Sequence, residues 1–357
     1  MAFGATVRLV RAFYALGRVN VAFVGAFPYG MGVLMVPNAP IGKGAGFYVF
    51  GILTHCVGCA VNDIADSRTD GLNPLRTRAP LVTGDCDRRQ ALTFTCVAAV
   101  CAGVVAVWLS REMVHAIVPL LSLLGVGVYG NAFQKKFGGL HPFFVDWLFG
   151  IFIGVPVVLG IVICGGRPTL SVLLLVASLV AQGPTLNMMR GNLKDLTHDR
   201  MVNAHTAALS LGVEPVGPDK DILTTRAFRR YCGIVFAAAV VLLMCAGIAE
   251  LSRPRQSIVQ ISLFTVAMVF IIASIVGLYN ALRRTTVTLR LLIRRVLFPM
   301  NVATLATAIS LCPRWEVFGI CVATYAWSVC SSVLAHWFAR RRRQRLPLPS
   351  AEMNSAR

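Results

Sequence analysis

An all-α fold, a polytopic bundle of transmembrane helices, is predicted for this chain by three observations. Its 357 residues are 56% hydrophobic and only 14% charged, where a soluble domain carries about 25% charge. Mean hydropathy is +0.70. The apolar residues fall in repeated runs of roughly twenty, enough to cross about 30 Å of hydrocarbon as helix. The cations gather on alternate connections, as membrane orientation requires.

The apolar segments run over 18–37, 45–62, 91–110, 113–132, 144–163, 169–189, 231–250, 257–281, 292–312 and 315–338. The first follows Arg8, Arg11 and Arg18 and is full length. No small-residue cleavage site with a soluble domain follows it, so it reads as a span and not a signal peptide. The ninth opens among Arg290, Arg294 and Arg295 and can begin as an interfacial helix. Two connections are long, 63–90 and 190–230, and loops of that length are usually functional or disordered. Residues 1–345 read as one membrane domain. The Leu346-Pro347-Leu348-Pro349-Ser350-Ala351 stretch makes 346–357 a disordered tail.

With a cytoplasmic N-terminus and alternating segments, 28 of the 34 Lys and Arg fall inside and 6 outside. The outside set is Lys43, Arg111, Arg167, Arg253, Arg255 and Arg314. This favours an even number of spans, with both termini and both long loops cytoplasmic. Nine spans would place Arg340 to Arg343 outside. The net charge of +19 therefore reports topology, and no nucleic-acid partner is expected. Most of the 11 cysteines lie in apolar runs. Cys56 and Cys59 have redox spacing but sit in a span with no second pair, so they read as small packing residues.

The run Asn62-Asp63-Ile64-Ala65-Asp66-Ser67-Arg68-Thr69-Asp70 closes the second segment. Ionisable groups at membrane depth cost about 2.5–3.5 kcal/mol each on insertion scales unless they work or are paired. On a helix Asn62, Asp66 and Asp70 stack on one face with Asp63 beside them. Such a face offers only oxygen donors. Those suit Mg²⁺, which is commonly held by carboxylates together with phosphate. A second run, Asn192-Leu193-Lys194-Asp195-Leu196-Thr197-His198-Asp199-Arg200, closes the sixth segment on the same side. Asp195 and Asp199 are again four apart. Arg76, Arg78, Lys135, Lys136 (just after Tyr129), Lys194 and Arg200 lie on the same side. Each alone is explained by topology. Together with paired carboxylates and a metal, they suit the binding and release of a diphosphate.

The first run resembles the NDxxDxxxD motif of the UbiA superfamily of intramembrane prenyltransferases at every defined position. Asn73-Pro74-Leu75-Arg76-Thr77-Arg78-Ala79-Pro80-Leu81-Val82-Thr83-Gly84 is similar to the loop that follows it in the family. The second run resembles the family's DxxxD. With Thr206 and Leu211-Gly212 it looks most like the dihydroxynaphthoate and homogentisate-type version. Tyr129 and the Lys135-Lys136 pair resemble the family's Tyr/Lys loop, though six residues separate Tyr129 from Lys135 where four are usual. The choice between the two lysines stays open. The resemblance spans about residues 18–215.

The resemblance implies about nine helices around a central cavity open to lipid, against ten apolar segments here. It implies Mg²⁺ on Asn62, Asp66, Asp70, Asp195 and Asp199, with Asp63 beside them as a further ligand. Arg76, Arg78 and Lys135 or Lys136 would hold the diphosphate, with Tyr129, Asn192, Lys194 and the cavity-facing Asn20 as further substrate contacts. Of these, Asp66, Asp70, Asp195 and Asp199 would be the catalytic residues. The implied activity is transfer of a polyprenyl group from its diphosphate to an aromatic or other hydrophobic acceptor in the lipid bilayer. A terpene cyclase would use the same metal site on the donor alone. A transporter fits less well, because the carboxylates lie at helix ends on one side and the two motifs keep one orientation. His198 and His205 read as loop residues near the phosphates. No residue identifies the acceptor.

Overall fold

Every apolar run of the sequence that falls among the described residues is helical. The computed structural model describes residues 2–71, 76, 79–133, 141–216, 221–254 and 257–311. The tenth apolar segment, the 346–357 tail, Arg78, Lys135 and Lys136 lie outside the described residues.

Helix α1 (Ala2–Leu16) leads into α2 (Val19–Leu34), α3 (Ile41–Asp70), the short α4 (Pro80–Thr83), α5 (Arg88–Ser110) and α6 (Ile117–Phe133). Then come α7 (Pro142–Ile163), α8 (Leu170–Leu186), a π-turn (Asn187–Asn192), α9 (Leu196–Met201) and α10 (Ala207–Ser210). The chain continues through α11 (Arg226–Leu251) and α12 (Ile258–Leu282). The last described span joins α13 (Leu289–Leu292), a second π-turn (Ile293–Leu297) and α14 (Phe298–Ser310). Among the described residues seven helices are long and apolar enough to cross a bilayer alone, and counting the pair α1–α2, bent by 43°, as one span gives eight. The 17-residue α6 matches the short end of the spanning range. The protein is thus an integral, multi-pass membrane protein.

The bundle is built by α5 on α3, α3 on α2, α2 on α7, α7 on α8 and α8 on α11, with α12 on α14 and α14 on α8. Lipid chains are as apolar as leucine, so close backbone approach and hydrogen bonds hold such helices together. A Cβ on Gly150 of α7 would stand 2.0 Å from the Val180 carbonyl oxygen of α8. Only glycine admits that crossing. On the other face of α8, Ser178 Oγ donates to the Ala239 carbonyl of α11 at 2.7 Å. Thr304 Oγ1 of α14 donates to Gln182 Oε1 at 3.1 Å.

Three features depart from the sequence expectation. α1 precedes the first predicted segment because Ala12 and Leu16 bury against Ala60, Ile64 and Ala91. The first long loop starts after Asp70 and not at residue 63, because α3 carries the whole acidic run as helix. The second long loop is folded. Besides α9 and α10 it holds β1 (Glu214–Val216) and β2 (Asp221–Leu223), which pair antiparallel with each other, and β2 pairs on its other edge with β3 (Thr286–Thr288). Ile222 and Val287 face the main core from this sheet.

Helix α5 starts at a reciprocal cap. Asp87 Oδ1 accepts from the Gln90 amide at 2.7 Å, and Gln90 Oε1 accepts from the Asp87 amide at 3.0 Å. Asp87→Ala is expected to cost about 1 kcal/mol, read as a lower melting temperature in detergent with turnover unchanged.

Candidate active site

The end of α3 stays helical across its polar run because its hydroxyls bond back to the helix. Ser67 Oγ donates to the Ile64 carbonyl at 2.9 Å, and Thr69 Oγ1 to the Asp66 carbonyl at 3.0 Å. Asp63, Asp66 and Asp70 are all buried, and Asn62 is half-buried. Burying three carboxylates demands cations. Arg18 Nη2 lies 2.7 Å from Asp63 Oδ1. Arg76 Nη1 lies 3.4 Å from the same oxygen, and Arg76 Nε lies 4.0 Å from Asp70 Oδ1. Arg18 reaches across because it sits at the α1–α2 bend with φ 45° and ψ 44°. A non-glycine residue there costs about 1–3 kcal/mol, offset by the charge-assisted bond to a buried partner. Pro80 opens α4 and Gly84 (φ 72°) closes it.

The second run is built differently. α8 gives way to the π-turn, and Asp195 lies at the head of the separate helix α9. The Asp199 amide donates to the Asp195 carbonyl at 2.8 Å, so the pair shares one helical turn. Asn192 is 6% and Asp199 1% exposed. Asp195 is half-buried, and its Oδ1 is enclosed with no hydrogen bond. His198 is buried in the protein and not displayed on a loop. Thr206 Oγ1 accepts from the Leu209 amide and caps α10, and Gly212 (φ 69°) follows that helix.

Alternation of the spans brings the ends of α3 and α8 and the start of α2 to one end of the bundle. Arg18, paired with Asp63, also lies within electrostatic reach of Asp195. Asn20 is half-buried on the first turn of α2, and Lys194 is exposed. Tyr129 is 44% exposed near the end of α6. Arg200 turns away to Glu214 of β1 at 3.4 Å.

Among the described residues no three carboxylate, imidazole or thiol groups converge tightly enough to form a metal cage on their own. Mg²⁺ takes oxygen ligands from carboxylates, water and substrate phosphates. The enclosed, unbonded Asp195 Oδ1 and an oxygen-only donor set fit that ion.

Two residues escaped the sequence as site residues. Arg18 was legible only as a topological charge. Asp146 of α7 is 1% exposed, and its Oδ1 accepts from Asn187 Nδ2 at 2.6 Å. A lone carboxylate inside an apolar span was the available signal.

A search of curated proteins finds no match. Solved structures do match in fold. A digeranylgeranylglyceryl phosphate synthase aligns with a TM-score of 0.63 at 15% identity, covering 86% of this chain and 99% of that one. A UbiA homologue from Archaeoglobus fulgidus bound to DMAPP and Mg²⁺ aligns at 0.61 and 15% identity, covering 86% and 99%. A UbiA homologue from Aeropyrum pernix K1 aligns at 0.56 and 19% identity, covering 83% and 96%. The sequence profile of the UbiA prenyltransferase family matches residues 25–218, a stretch that starts in α2 and ends beyond β1, taking in both acidic runs. The chain therefore belongs to the UbiA prenyltransferase family, and it is an enzyme that transfers prenyl groups.

Proposed function

We propose that this enzyme moves a polyprenyl group from an allylic polyprenyl diphosphate to a hydrophobic or aromatic acceptor, with Mg²⁺ as cofactor. The observation that carries the reading is the pair of acidic runs beyond the cores of α3 and α8, with Arg18 paired to the first and within electrostatic reach of the second. The homologue carrying DMAPP and Mg²⁺ supports it, as does the same protein with GPP and Mg²⁺.

Asn62, Asp66 and Asp70 of the first run and Asp195 and Asp199 of the second would hold Mg²⁺ together with the diphosphate. When bound, Mg²⁺ neutralises charge on the diphosphate oxygens. Asp63 has another task than the ligand role expected of it. It is engaged by Arg18 and Arg76 and anchors both guanidiniums beside the metal face. Arg76, with Arg78 and Lys135 or Lys136, receives the negative charge that grows on the diphosphate as the allylic C–O bond breaks. Asn20, Tyr129, Asn192 and Lys194 line the donor's approach. The apolar spans keep water from the cation until the acceptor's electron pair closes the new bond and the acceptor gives up a proton. Loop charge supports a cytoplasmic face for this chemistry, with both termini on that side.

Membranes of a host expressing the chain, supplied with farnesyl or geranylgeranyl diphosphate, test the reading. Prenylated lipid and inorganic diphosphate should form with Mg²⁺ and stop with EDTA. Product mass beyond the prenyl unit names the acceptor. Hydrocarbon made from the donor alone would shift the reading to cyclisation. Undiminished turnover in EDTA would remove the metal from it.

A further inference from the structure

Asp146 is a carboxylate in the first two turns of the apolar helix α7, and it is almost wholly buried. Among the described residues no cation forms a salt bridge with it. Its partners are amides of the π-turn. Asn187 Nδ2 donates to Oδ1 at 2.6 Å, and the Asn192 side chain faces the same carboxylate. Tyr231 and Cys232 of α11 close the site from the third side. An unpaired carboxylate in this setting costs several kcal/mol. A purely packing role would be served better by leucine.

The position of the π-turn explains what the carboxylate holds. A π-turn carries one residue more per turn than α-helix, so every side chain beyond it is rotated by about 100°. Asn187 is the first residue of that turn and Asn192 the last. Asp195 follows three residues on. A bond to Asn187 from a neighbouring helix fixes the turn to α7. The glycine crossing of Gly150 with Val180 holds α7 to α8 one turn away. Asn192 and the Asp195/Asp199 pair therefore take their stance from a rigid two-helix frame, not from the loop after them.

We infer that Asp146 is a positioning residue for the second acidic run: its carboxylate, bonded to Asn187 and facing Asn192, locks the π-turn in the register that presents Asn192, Asp195 and Asp199 to the metal–diphosphate. This rests on the assignment of that run as the metal–diphosphate site. Partners that orient metal-binding side chains are worth about 10–100-fold in metal affinity.

The test uses the full chain purified in detergent, with melting temperature followed as Mg²⁺ is titrated at fixed geranylgeranyl diphosphate. Asp146→Ala and Asn187→Ala break the bond from opposite sides. Each should raise the Mg²⁺ concentration for half-maximal stabilisation by about tenfold or more. Asp146→Asn keeps an acceptor oxygen and should recover part of that shift. If Asp146→Ala does not fold, Asn187→Ala carries the comparison. A midpoint within twofold of the parent in Asn187→Ala overturns the inference, even if the ligand-free melting temperature falls, because the role is then structural only. An Asp146→Asn shift as large as that of alanine overturns it as well. Asp66→Ala, run alongside, separates the two failures. If it also leaves the midpoint in place, the metal-site assignment itself is wrong.

Discussion

Asp66→Ala and Asp199→Ala are each expected to lower Mg²⁺-dependent release of diphosphate from a polyprenyl diphosphate by about 10²–10³-fold or more. Asp66 lies on the buried face of α3 and Asp199 within α9. Each removes charge from one side of the site and cannot be replaced from the other. The loss should fall on kcat, because charge develops on the leaving diphosphate only as the bond breaks. Asp63→Ala should behave differently. It frees Arg18 and Arg76 and leaves the proposed ligands in place, so the protein should lose stability before it loses chemistry. Full turnover in both Asp66→Ala and Asp199→Ala would sink the assignment of the acidic runs.

The second large effect is on folding. Gly150→Leu should collapse the yield of monodisperse protein in detergent. An added Cβ would meet the Val180 carbonyl oxygen at 2.0 Å, and a Cβ on Gly183 would likewise meet the Gly150 Cα at 2.1 Å. Backbone atoms cannot step aside as a flexible side chain can, so α7 and α8 must separate. Overpacking of this kind costs about 1–3 kcal/mol, and more where backbone is displaced. Gly103→Leu on α5 is the control, since a Cβ there meets nothing within 4 Å. Equal melting temperatures for the two variants would show that the α7–α8 crossing is not a tight one.

Much of this molecule was legible residue by residue. Hydropathy is a local property, so each apolar run among the described residues appears as helix. Oxygen-only donors at four-residue spacing are local too, so both acidic runs stood out before any fold was known. The small sheet was not legible. Its strands are three residues long, and β3 lies more than sixty residues beyond β2. Arg18 was hidden for a similar reason. Its partner Asp63 is 45 residues away, and its role depends on a left-handed backbone that nothing in Gly17-Arg18-Val19 announces.

By itself, the sequence determined that the chain spans the membrane repeatedly, which family it resembles, and which side chains are chemically able to hold a metal-bound diphosphate. Composition and spacing suffice for those, because they follow from the cost of burying charge in hydrocarbon and from the 3.6-residue repeat of a helix. Tertiary structure alone decided how the carboxylates are shared out. It placed Asp63 between two arginines, divided the second acidic run from α8 by a π-turn, and set Asp146 beneath that turn. Those outcomes depend on which helices cross and where glycine lets their backbones touch, and such contacts join residues that the sequence holds far apart.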